Sequence, residues 1–251
     1  MDAESILRGF TTSLRLLTRL KPGGGEAQDT RIVLAAFPAV GLVAGVIMAG
    51  LAWLACRGLG AQAAAYLAAV ALPPVYWWFT EGRSLKGVIG TAANWRPAEG
   101  ADSAEEKRLR PYWVLLAVQI LFFSRAALTG FIVLNCDSRV FWLALAPVLG
   151  LTAHAHLLAE SSLPPDQRGR LPLHWLTAVV LVLIPALLMR AVVPALLALT
   201  VTWAVTGALN RHLVRRCDQP LPEYTHGAVR EVVELLTLLA GLLYFSSEYA
   251  V

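Results

Sequence analysis

From residue 32 onward the chain is a succession of long apolar runs separated by short polar breaks. A bilayer core calls for roughly 20 apolar residues per helical crossing. Runs at 32–56, 61–79, 112–134, 140–159, 171–189, 191–209 and 227–245 meet or approach that length. Only residues 57–60 separate the first two, which predicts a helical hairpin, and Arg190 alone divides the fifth from the sixth. The seventh opens with Glu231 and Glu234, so its fully apolar part is short. The pattern predicts an all-α fold, a polytopic membrane helical bundle of about seven transmembrane helices.

Ahead of the first run, "SILRGFTTSLRLLTRLKP" sets Ile6, Phe10, Leu14 and Leu17 near one helical face and Arg8, Arg15 and Arg19 on another. That is the pattern of an amphipathic helix lying in the membrane interface. It equally suits a cytoplasmic collar on the first span. "KPGGGEAQDT" then reads as a flexible connector. The expected organisation is a cytoplasmic amphipathic helix and Gly-rich connector over 1–31. A single transmembrane domain over 32–251 follows, with a cytoplasmic loop at 80–111.

Composition agrees: 57% of the 251 residues are hydrophobic and 15% charged, with a mean hydropathy of +0.60. Such a chain cannot keep its surface in water as an ordinary domain. The cations set its orientation. All of the 21 Lys and Arg except Arg57, Arg125, Arg139 and Arg190 fall on one side of the alternating runs. By the positive-inside rule that side is cytoplasmic, with the N-terminus inside and the C-terminus outside the cytoplasmic (inner) membrane. The net charge of +4 therefore follows topology and faces anionic lipid, so the bilayer is the expected partner and nucleic acid is not. Cys56, Cys136 and Cys217 are widely spaced, which predicts neither a disulfide nor a metal-thiolate site.

Polar groups inside spans are costly and therefore informative. Arg125 lies midway along the third run, too deep to reach the headgroups, and needs a partner. Glu231 and Glu234, three apart on one face, are candidates for that pairing. His154 and His156 are two apart, which on a helix points them about 200° from each other and forbids joint chelation of one metal. One is expected to face the bundle and the other the headgroups. Gly41 and Gly45 form a small-residue ridge, Pro73-Pro74 is expected to kink the second span, and Trp77, Trp78, Trp95 and Trp113 read as an aromatic belt.

Several of these residues occur in a known order. "SLRLLTRLKP" followed by "FPAVGLVAG", with Thr18-Arg19 and Phe37-Pro38 through Gly41 and Gly45, resembles the start of the cobalamin-5'-phosphate synthase (adenosylcobinamide-GDP ribazoletransferase) family. "YTHGAVREVVELL" is similar to that family's closing Gly-Asp-Thr-Leu-Gly-Ala segment and its two following glutamates, keeping Thr225, Gly227, Ala228, Glu231 and Glu234. Arg125 resembles the basic residue the family carries in its third span. The resemblance implies an enzyme that joins a nucleotide-activated corrinoid to alpha-ribazole or its phosphate and releases GMP, using magnesium at the cytoplasmic face.

The chain departs from that pattern where the metal would bind. After its second span the family reads His-Leu-Asp-Gly-Leu-Ala-Asp-x-x-Asp-Gly. Aligning its first Asp-Gly with Glu81-Gly82 puts Leu85 and Val88 at the later acids and Phe79-Thr80 at His-Leu. The family's Arg-Asp-Ser is missing from "AEEKRLRPYW", and the closing Asp has become Tyr224. Arg83 and Lys86 add positive charge where magnesium, which seeks carboxylate oxygen, would sit.

The expectation is a degenerate member: a non-catalytic binding or accessory subunit with no cofactor and no metal. It would engage a corrinoid or nucleotide-activated corrinoid, an active family member, or a second copy of itself. Substrate-binding candidates are Arg19, Arg83, Lys86, Thr225, Glu231 and Glu234; Glu81 is the catalytic candidate and Arg125 a structural polar residue. The alternative is a divergent active ribazoletransferase, dependent on Mg2+ or on a pyrophosphate clamp by Arg83, Lys86 and Arg96. The plain counter-reading makes those cations topology determinants. A small permease rests only on the buried polar residues.

Overall fold

A computed structural model describes residues 2–23, 27, 29–94, 104–134, 138–162, 173–188, 191–216 and 223–247. Trp95, Arg96, Cys136, Arg168, Arg170, Arg190 and Cys217 lie outside them. The described residues form nine α-helices and one 3-10 turn, with no strand: α1 Ala3–Leu17, α2 Thr30–Leu59, α3 Ala61–Phe79, α4 Arg83–Asn94, α5 Ala104–Leu134, the turn Ser138–Phe141, α6 Trp142–Ser162, α7 Leu173–Leu188, α8 Val192–Arg216 and α9 Glu223–Ser247.

Each predicted apolar run falls largely within one helix. Among the described residues four stretches are long and apolar enough to cross a membrane: Thr30–Leu59, Arg108–Leu134, Trp142–Ser162 and Val192–His212. α7 is apolar but shorter. Pro73, Pro74, Tyr76, Trp77 and Trp78 lower the hydropathy of α3, and Arg230, Glu231 and Glu234 do the same for α9. Large apolar side chains at Leu54, Tyr66, Phe123 and Trp203 point out of the bundle. Apolar outer faces of this kind are compatible with a membrane protein.

In lipid, helices associate through close packing and polar contacts rather than by escape from water. The central pair, α2 and α6, is built that way. A Cβ on Gly41 would stand 2.4 Å from the Pro147 carbonyl oxygen, and one on Gly45 would stand 2.4 Å from that of Ala144. The small-residue ridge read from the sequence is thus a backbone-to-backbone seam.

α1 is N-capped by Asp2, whose side chain accepts from the Ser5 amide. It docks on α2: the Ser13 hydroxyl donates to the Val33 carbonyl at 2.8 Å, and Leu14 and Leu17 are buried while Ile6 and Leu7 are exposed. Part of the apolar face therefore packs on the first long helix and part faces outward.

Two expectations change. The segment expected as a loop, 80–111, is largely helical: α4 and the first turns of α5 occupy it. Gly87 and Gly90 interrupt its apolar pattern, yet they are what let α4 lie close to α9. Finally, Cys56 is disulfide-bonded, against the expectation of no disulfide. Its Sγ lies 3.9 Å from the Val133 carbonyl oxygen, so the ends of α2 and α5 converge, which spacing along the chain could not reveal.

Candidate functional site

The polar residues of the long helices meet in one buried cluster. α9 supplies Arg230, Glu231 and Glu234, α5 supplies Arg125, the end of α3 supplies Tyr76 and Trp77, and the start of α4 supplies Ser84. Arg125 Nη1 donates to Glu231 Oε2 at 2.6 Å, and its Nη2 donates to Glu234 Oε2 at 2.5 Å. Arg230 Nε donates to Glu234 Oε1 at 2.8 Å, the Tyr76 hydroxyl donates to the same oxygen at 2.5 Å, and Arg230 Nη2 donates to that hydroxyl. Glu231 Oε1 accepts from Trp77 Nε1 at 3.0 Å and from the Ser84 hydroxyl. The Arg125 guanidinium also lies over the Tyr76 ring, 4.1 Å from its centroid.

Every carboxylate oxygen in the cluster is engaged, and two guanidiniums balance two carboxylates. In an apolar interior each of these ions alone is expensive, and the group persists because every member is compensated. The packing depends on small residues: a Cβ on Gly150 would lie 2.4 Å from Glu234 Cγ, so the acid fills the space a side chain would take. A cavity of about 30 Å³ lies against Arg125, Tyr76, Pro73 and Thr129.

α4 is held against this cluster by another close approach. A Cβ on Gly87 would stand 2.5 Å from Gly227 Cα, and one on Gly227 would stand 3.0 Å from the Arg83 carbonyl oxygen. The stretch that resembles a degraded metal motif is thereby seated on the stretch that resembles the family's closing motif.

The turn before α4 has a defined form. Gly82 N–H donates to the Trp77 carbonyl at 2.6 Å and Glu81 N–H to that of Trp78 at 3.3 Å, the bond pair of a Schellman cap. Glu81 occupies its left-handed position, with φ 56°, where glycine is usual. Its carboxylate pairs with Arg83 Nη2 at 3.3 Å. Leu85 and Val88, at the positions of the family's later acids, pack against the hydrophobic core.

The remaining candidates are placed as follows. Arg19 is exposed; its Nε donates to the Trp78 carbonyl at 2.7 Å and its backbone N–H to that of Phe79 at 2.9 Å. It therefore caps the C-terminus of α3, where a cation also meets the helix dipole favourably. Lys86 is exposed, and Thr225 is buried in the first turn of α9. The structure joins Arg125, Glu231 and Glu234, pairs Glu81 with Arg83, and puts Arg19 at the end of α3.

Sequence reasoning missed four members. Arg230 counts as a cytoplasmic cation by position but is fully buried; its signal was the four-residue spacing to Glu234, which sets both on one helical face. Trp77, expected in an aromatic belt, is buried and donates to Glu231, whereas Trp78 is 61% exposed. Tyr76 and Ser84 carry no local signal. The two histidines point to different neighbours. His154 packs on Phe37 and His226 and His156 on His174 and Trp175, so both are held within the bundle, on opposite sides of α6.

No family model matches the chain, and no solved structure matches it. Among curated proteins it is similar to an adenosylcobinamide-GDP ribazoletransferase of Roseiflexus sp. (strain RS-1), with 28% identity over 242 residues that cover 90% of this chain and 86% of that protein, a likeness that supports the family resemblance carried by the two ends of the chain.

Proposed function

We propose that the protein is a membrane-embedded relative of the ribazoletransferases that binds a corrinoid, or its nucleotide-activated form, without carrying out the transfer. The observation that carries this reading is that Leu85 and Val88 pack against the hydrophobic core at the positions of the family's later acids, while Glu81 is paired with Arg83 and Glu231 and Glu234 are taken up by Arg125 and Arg230. Carboxylates locked between guanidiniums hold helices together and do not present oxygen to a metal.

The resemblance implies magnesium, and the residues here do not fit it. Leu85 and Val88 are apolar and pack against the core, and Glu81 is paired with Arg83. Magnesium demands several oxygen ligands and repels nearby cations. Arg83, Lys86 and Thr225 then become binding residues of an accessory protein in the inner membrane. It would work beside an active family member or a second copy of itself, crossing the bilayer seven times with the N-terminus inside.

The test is a transferase assay on the purified protein in lipid, with adenosylcobinamide-GDP and alpha-ribazole, with and without magnesium, beside an active family member. The expected result is saturable corrinoid binding with no cobalamin and no GMP. Product formation would overturn the non-catalytic reading.

One observation favours the alternative, a divergent transferase. Glu81 holds a left-handed backbone that costs an L side chain roughly 1–2 kcal/mol, and strain of this kind concentrates at working sites. Under that reading Glu81→Ala abolishes product formation; under the non-catalytic one it leaves corrinoid binding unchanged.

A further inference from the structure

The cavity of about 30 Å³ beside the ion cluster is walled by residues of five helices, α2, α3, α5, α6 and α9. Every residue of that wall is buried, from Met48 on α2 to Leu238 on α9. A water molecule needs about 10–15 Å³ of such volume, so the space takes one or two. Its wall is part apolar and part polar.

The polar part has identifiable sources. The Arg125 guanidinium carries five N–H donors, and its bonds to Glu231 and Glu234 use two of them. The residue keeps 5% of its surface accessible and lines the cavity. Thr129 follows one helical turn later on the same face of α5 and lines the cavity beside it; a threonine hydroxyl both donates and accepts.

Two prolines complete the setting. Pro73 in α3 and Pro147 in α6 lie inside their helices and line the same space. Proline has no N–H, so the carbonyls four residues earlier, those of Ala69 and Leu143, lose their helical donors. Leu143 itself lines the cavity. Within a membrane, carbonyls freed in this way are satisfied by neighbouring helices, by Ser or Thr side chains, or by ordered water.

We infer that the cavity is a hydration site, which holds ordered water between the Arg125 guanidinium, the Thr129 hydroxyl and the Leu143 carbonyl. A water there accepts from Arg125, donates to Leu143 and has Thr129 as its third partner, in keeping with the roughly three hydrogen bonds that buried waters make. Charge and polarity argue against other occupants. The two guanidiniums of the cluster are balanced by two carboxylates, so no counter-ion is called for. An apolar molecule would leave the polar part of the wall unbonded. The water solvates Arg125 N–H groups beyond those the two acids take up, at a place bulk water does not reach. The site rests on the cavity alone and stands whether or not the chain binds a corrinoid.

Met48 supplies the reporter, because it lines the cavity and is only 5% exposed. The full chain in phosphatidylcholine nanodiscs is equilibrated with heavy-oxygen water and given millisecond X-ray pulses, which split bound water into hydroxyl radicals. Methionine sulfoxide at Met48 is then read by mass spectrometry. Heavy oxygen at Met48, falling severalfold in Thr129→Leu, whose side chain fills the space, supports the site. Thr129→Val separates hydration from packing, since it keeps the shape of threonine and removes the hydroxyl. It should lower both the labelling and the melting temperature, and Thr129→Ser should keep the labelling. A folded protein with no heavy oxygen at Met48, or with labelling unchanged in both Thr129→Leu and Thr129→Val, would overturn the proposal.

Discussion

Gly87 of α4 and Gly227 of α9 cross backbone to backbone: a Cβ at Gly87 would stand 2.5 Å from Gly227 Cα and 2.7 Å from the Tyr224 carbonyl oxygen. This crossing brings Ser84 to Glu231 and joins the two stretches that resemble family motifs. Gly87→Val has no room to relax, because the atoms it meets are backbone. It should cost about 1–3 kcal/mol or more as an overpacking change and lower the yield of folded protein in membranes. Gly58→Val, at a glycine with nothing within 4 Å, is the matched control, and equal losses in both would contradict the crossing.

Arg125 ties α5 to two acids on α9, so Arg125→Leu leaves buried carboxylates short of a partner and should destabilise by about 3–5 kcal/mol. Glu231→Leu should do the same in reverse. The double variant is expected to lose less than the sum, because each change removes the other's uncompensated charge. The three melting curves, read as a cycle in one detergent or lipid, give the coupling. Strict additivity would mean that the 2.6 Å contact carries no energy. Normal folding of Arg125→Leu with lost corrinoid binding would make the residue functional rather than structural.

The helices were legible in the sequence because an apolar run of membrane-crossing length permits little else. The Arg125 pairing with Glu231 and Glu234 was legible too, since a mid-span cation demands an acid and these stand on one face of a late helix. α4 was not, because Gly87 and Gly90 make it a poor helix in isolation and its stability comes from lying on α9. Arg230 was misread by the charge count that sets topology, which cannot distinguish a surface cation from a buried one. Tyr76, Trp77 and Ser84 depend on the relative placement of α3, α4 and α9, and nothing local encodes it.

Glu81 occupies the position of the Schellman turn at which glycine is usual, with φ 56°. Glu81→Gly should relieve that strain while losing an ion pair with Arg83 that, half exposed to solvent, is worth about 0–1 kcal/mol. The net expectation is a gain of up to about 1 kcal/mol in stability, whereas Glu81→Ala keeps the strain and gains nothing. Thermal melts of the two variants decide the point. A Glu81→Gly protein less stable than Glu81→Ala would show that the backbone there is not left-handed.

Orientation can be tested from both ends of one helix and from the end of the chain. The cations of α1 precede α2 and Arg31 lies in its first turn, while the disulfide-bonded Cys56 lies near its other end. Disulfides persist in oxidising compartments and are rare in the cytoplasm, so under the proposed orientation the Cys56 end is expected to face outward. With seven crossings the residues after α9 reach that same side. In intact cells Cys56 should resist a maleimide until a reductant is added, and Cys56→Ser should lower stability by about 2–4 kcal/mol. A reporter fused after Val251 should read as external. A cytoplasmic reading from that reporter, with Cys56 still oxidised, would leave an even number of crossings and remove α3, α7 or α9, the helices outside the four long apolar stretches, from the set that spans the bilayer.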